Sequence, residues 1–122
     1  MTLLLVLAGG AIGAPLRYLA DRAIQARHDT VFPWGTIAVN VGGSLLLGFL
    51  AGAASRGSIG TGWLALAGTG FCGALTTYST FGYETVRLAE DGATVQAVGN
   101  AVVSVAAGIG AAAAGMTLAA AL

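Results

Sequence analysis

The residues with the most chemistry to offer stand in one run, Gly68-Thr-Gly-Phe-Cys-Gly-Ala-Leu-Thr-Thr-Tyr-Ser-Thr-Phe-Gly-Tyr-Glu84. Gly68, Gly70 and Gly73 weaken a helical ladder, and every residue from Thr76 to Thr80 carries a hydroxyl. The run lies where an apolar membrane helix should be. Unpaired backbone groups are costly in hydrocarbon, so non-helical backbone at membrane depth persists only inside protein or beside a water-filled cavity. A polar break in such a place marks a transport pathway or an ion site. Carbonyls released between Gly73 and Thr76 are acceptors without partners, and a small monovalent cation is their natural ligand. Tyr78, Phe81 and Glu84 follow at three-residue spacing, which sets them along one helix face from the membrane interior to its edge. Rings so spaced usually pack against neighbours, but a ring edge is positive and can support an anion in dry surroundings. Glu84 either faces a vestibule or is a solvated charge at a helix end.

Other polar groups raise the same question. Asn40, in Val39-Asn-Val-Gly-Gly43, is deep in an apolar segment. Its amide has two readings, a bond between helices or a donor lining a pore. Asn100 and Ser104 share that ambiguity. Catalysis finds no support: His28 is the single histidine and lies in a connection, so neither a catalytic triad nor a histidine metal cluster can be assembled. Cys72, the single cysteine, reads as a small buried hydrophobe and permits no internal disulfide.

The elements that must hold these groups are membrane spans. The chain of 122 residues is 57% hydrophobic and 8% charged, with a mean hydropathy of +0.85; soluble domains carry about 25% charged residues. Net charge is zero and lysine is absent, so no basic stripe exists for nucleic acid. The apolar run begins at Leu3 with no basic residue ahead of it, which does not suit a cleaved secretory signal. Spanning takes about 20 apolar residues. Four segments meet or approach that length, 3–19, 33–54, 62–86 and 94–122, and they form one domain with both termini on one side. Polar connections are expected at Asp21 to Thr30, Ser55 to Gly60 and Glu90 to Gly92. Small residues form stripes at Gly9, Gly10 and Gly13, at Ser44, Gly48 and Gly52, and at Ser104, Gly108 and Ala112. Such stripes allow close helix packing in lipid. Helices this few and this closely packed cannot easily enclose a pore, so an oligomer is expected.

Three of these motifs resemble the Fluc (CrcB-type) fluoride channels: Gly9-Gly-Ala-Ile-Gly-Ala-Pro-Leu-Arg-Tyr18, Gly35-Thr-Ile-Ala-Val-Asn-Val-Gly-Gly-Ser-Leu-Leu-Leu-Gly48 and Gly70-Phe-Cys-Gly-Ala-Leu-Thr-Thr-Tyr-Ser-Thr-Phe-Gly-Tyr-Glu84. The resemblance covers nearly the whole chain, and the third motif is its most specific part. It implies an all-α membrane protein whose third helix is broken, assembled as an antiparallel, dual-topology dimer in the cell membrane. It implies passive fluoride export through a pathway that falls on Asn40, Tyr78, Phe81, Ser79, Thr80 and Ser104, with Arg17 and Glu84 at its vestibules. A structural, untransported Na+ at the dimer centre is implied on the carbonyls of Gly73 and Thr76. The partners implied are fluoride, membrane lipid and a second subunit, either another copy or a paired homologue. Two positions depart from the family pattern: Tyr78 where Phe is usual, and Asn100 where the fourth span usually offers Tyr. Arg22, Arg27 and Arg87 oppose Arg56 across the membrane, an imbalance that favours both termini outside.

Two rival functions fit the size. A small four-span multidrug or cation exporter needs a carboxylate embedded in the membrane, typically in the first span; here that span holds Arg17, and Glu84 lies at an end. A non-transporting assembly protein would have no use for a polar break flanked by ring edges.

Overall fold

A computed structural model describes residues 1–28 and 30–122; Asp29, within the first expected connection, lies outside the described residues. The regular structure of the described residues is all helix, with no strand. Helix α1 (Thr2–Gln25) and helix α2 (Trp34–Ser55) come first. Segment α3 opens with a turn at Thr61–Trp63, widens into a π-helix over Leu64–Cys72 and closes with a turn at Gly73–Leu75. Helix α4 (Tyr78–Glu90) follows, then the long α5 (Thr94–Ala121). Helices α1, α2 and α5 are each long and apolar enough to cross a membrane. The protein is an all-α membrane protein.

Helix α1 does not stop near Leu19 but runs on to Gln25, so half of the polar connection expected from Asp21 onward is helical. The physical reason is local: Asp21, Arg22 and Gln25 leave the membrane on helical turns, and the Arg22 guanidinium donates to the Tyr18 hydroxyl one turn back. Gln25 then fastens the next helix, because its Oε1 accepts from the Gly35 amide and its Nε2 donates to the Phe32 carbonyl.

Packing uses the small residues. Helix α1 lies against the π-helical part of α3, and a Cβ at Gly9 or Gly13 would drive into the carbonyls of Leu66 or Phe71. Helix α2 lies along α5, where a Cβ at Gly48 would strike the Ala112 backbone and one at Gly115 the Leu45 carbonyl. The backbones touch, and dispersion between close-packed helices takes the place of a hydrophobic effect that lipid cannot supply. Outward faces stay apolar: Leu3, Leu7 and Ile12 on α1 and Val95, Val102 and Ile109 on α5 are all exposed.

Between α3 and α4 the chain is extended, with φ −81° and ψ 159° at Thr76 and φ −149° and ψ 124° at Thr77. Helix α4 restarts on a side-chain cap, the Thr77 Oγ1 accepting from the Thr80 amide at 3.1 Å.

Candidate functional site

Everything at this site hangs on Asn40. Its Oδ1 accepts from the Thr77 amide at 2.7 Å and its Nδ2 donates to the Thr77 carbonyl at 3.0 Å. One side chain of α2 thus satisfies both backbone groups of an extended residue that no helix could pair. A primary amide has two N–H groups. With one given to Thr77, the other remains for the cavity that Asn40 lines.

That cavity, about 440 Å³, runs between α2, α4 and α5 and is lined by Asn40, Ser44, Thr76, Tyr78, Phe81 and Ser104 among others. The Tyr78 and Phe81 rings are 6.0 Å apart between centroids and tilted by 41°, so they present edges as well as faces. Tyr78 is 85% exposed, and the cavity is open on that side. Asn40, Tyr78, Phe81, Ser104 and Thr76 are therefore brought together from separate parts of the chain. Ser79 and Thr80 are not part of this wall. The Ser79 hydroxyl lies 3.4 Å from that of Thr77.

Thr80 instead lines a second cavity of about 160 Å³ with Arg17, Tyr18, Asp21, Thr36 and Thr77. The two cavities meet at Thr77, which borders both. Glu84 lines neither. Its Oε1 is buried without a hydrogen-bond partner among the described residues, and Thr36 and Asp21 are its polar neighbours.

Gly73 and Thr76 share one property. The amide four residues beyond Gly73 is that of Thr77, which donates to Asn40. The amide four residues beyond Thr76 is that of Thr80, which donates to the Thr77 hydroxyl. Both carbonyls thus lose their usual helical donors, and a Cβ at Gly73 would meet nothing within 4 Å. Neutral carbonyl oxygens in an open position suit a monovalent cation. Among the described residues no three His, Cys, Asp or Glu side chains come together as a metal site.

Three residues of this arrangement escaped the sequence reading. Thr77 is the hinge of the break, and five successive hydroxyl-bearing residues ahead of a helix were the available signal for its capping role. Ser44 was read as packing alone, yet it borders the cavity. Thr85 left no signal; it matters because its hydroxyl receives a bond from Asn100 at 2.7 Å.

Comparison with known proteins gives the family. The profile of the family described as CrcB-like protein, Camphor Resistance (CrcB), matches residues 4–116. A relative in Streptomyces avermitilis, named fluoride-specific ion channel FluC 1, is 62% identical over 122 residues, covering 100% of this chain and 98% of its own. One of the same name in Frankia casuarinae is 62% identical over 125 residues, covering 98% and 96%. A protein of Mycobacterium tuberculosis named fluoride-specific ion channel FluC 2 is 49% identical over 110 residues, covering 90% and 84%. These relatives are named as ion channels, not as enzymes.

Proposed function

The chain belongs to the CrcB-like family, and from that premise we propose that it is a fluoride channel subunit of the cell membrane, through which fluoride leaves the cytoplasm down its own gradient. The observation that carries this reading is the wall formed by Asn40, Tyr78, Phe81 and Ser104 around one cavity. Fluoride is small and strongly hydrated, so it enters a pore only where donors replace its water. The unused Asn40 N–H is one donor, and the positive edges of the Phe81 and Tyr78 rings supply diffuse charge beside it. Arg17, lining the second cavity, draws anions toward the Thr77 clamp from that side.

The third span, in this reading, consists of α3 and α4 with the break at Thr76 and Thr77 held at membrane depth. The redirected amides of Thr77 and Thr80 support a structural sodium ion on the carbonyls of Gly73 and Thr76. When bound, it supplies fixed positive charge to carbonyls that would otherwise stay unpaired in a dry interior. The exposure of Tyr78 at the mouth of the cavity supports an antiparallel second subunit, a copy of this chain or a homologue, that closes the open side.

Efflux from liposomes holding the purified protein tests the proposal. Fluoride is expected to leave without a proton gradient while chloride stays inside. Equal loss of both ions, or dependence on a proton gradient, would contradict it, the latter in favour of an exporter.

A further inference from the structure

Asn100 is 1% exposed and lies outside the cavity wall, yet it is bonded to a group that lines it. Ser104 Oγ donates to Asn100 Oδ1 at 3.0 Å, Asn100 Nδ2 donates to Thr85 Oγ1 at 2.7 Å, and Thr85 Oγ1 donates to the Phe81 carbonyl at 2.8 Å. The chain has one direction, and its first proton is the only one Ser104 owns. In this arrangement Ser104 turns lone pairs toward the cavity, which repels an anion.

A half-turn of the Asn100 amide reverses the whole chain without moving a neighbour, because its oxygen and nitrogen exchange nearly identical positions. Thr85 then donates to Asn100 Oδ1, Asn100 Nδ2 donates to Ser104 Oγ, and the Ser104 proton points into the cavity. Without an anion the reversal forfeits one bond, that from Thr85 to the Phe81 carbonyl. With an anion at Ser104 the number of bonds is restored. The Phe81 carbonyl keeps its partner within α4 in either state. Donation from Asn100 also polarises the Ser104 hydroxyl and strengthens it as a donor.

We propose that Asn100 is a positioning residue whose amide turns over when an anion occupies the cavity, so that Ser104 gives its proton to Asn100 at rest and to the ion in the reversed state. The proposal rests on the fluoride reading. Asn can play both parts because it donates and accepts at once; a leucine of similar size can do neither.

The test measures fluoride efflux from liposomes against internal fluoride concentration for the whole protein and its variants Asn100→Leu, Ser104→Ala and the double variant. Ser104→Ala removes the donor and is expected to raise the half-saturating fluoride concentration about fivefold, the factor that one hydrogen bond supports, whereas Asn100→Leu frees the Ser104 proton without an amide turn and should lower it by about the same factor. The double change should behave as Ser104→Ala alone, since Asn100 acts on the ion only through the Ser104 proton. Thr85→Val should act like Asn100→Leu, and Thr85→Ser, which keeps the hydroxyl, should behave as the unaltered protein. This second pair also decides the matter if Asn100→Leu does not assemble. A rise with Asn100→Leu, a double variant that differs from Ser104→Ala, or equal behaviour of Thr85→Val and Thr85→Ser would overturn the proposal alone. Failure of the unaltered protein to release fluoride would overturn the fluoride reading, and this proposal with it.

Discussion

Phe81 offers the sharpest separation of packing from ion contact at a single residue. Ile keeps apolar bulk but has no quadrupole, so Phe81→Ile is expected to cut fluoride flux at least tenfold while the assembly stays folded; normal flux would reduce the ring to core. Asn40 carries two duties that substitutions can divide. Asn40→Leu strips the Thr77 amide and carbonyl of their partners, and leaving such groups buried costs about 1–3 kcal/mol each. Thermal unfolding should show that loss, together with silent liposomes. Asn40→Asp still accepts from the Thr77 amide but cannot donate, so it should recover part of the stability and none of the flux. Recovery of both would mean that Asn40 holds the backbone and never meets the ion.

At the scale of elements the decisive feature is the interruption between α3 and α4, capped by Thr77. Thr77→Val removes the cap from the Thr80 amide and is expected to cost ~1 kcal/mol, read as a lower unfolding temperature with the other helices intact. An unchanged unfolding temperature would show that the restart of α4 needs no cap. The residues that build this interruption were legible in the sequence, because glycines and hydroxyls in an apolar segment announce themselves by composition. The partner of Thr77 was not: Asn40 is far away in sequence, and only folding places its amide on both groups of Thr77. The same holds for the π-helix at Leu64–Cys72, which lies in backbone contact with Gly9 and Gly13 on α1, a pairing that no local pattern announces. Helix α1 ran past its expected end because polar residues on helical turns leave no mark that separates them from a loop. Asn100 was legible as a polar group with two readings and as a departure from a family pattern; its bond to Thr85 depends on a helix crossing that no spacing encodes.

For the whole molecule the account joins a cavity open on one side to a second subunit and a central cation. Sodium belongs to that assembly if the Gly73 and Thr76 carbonyls of both subunits meet. Protein purified and assayed with a large organic cation in place of sodium is therefore expected to lose conduction and regain it when sodium returns; conduction that ignores the exchange would remove the ion from the account. The claim on which everything else depends is that the Asn40 and Phe81 cavity conducts fluoride passively and excludes chloride. Current through a planar bilayer separating unequal fluoride solutions, with chloride in large excess on both sides, tests it most directly. The account predicts a current that reverses at the fluoride equilibrium potential and stays there when the pH of one side is changed. A reversal potential set by chloride, or one that follows the proton gradient, would contradict it.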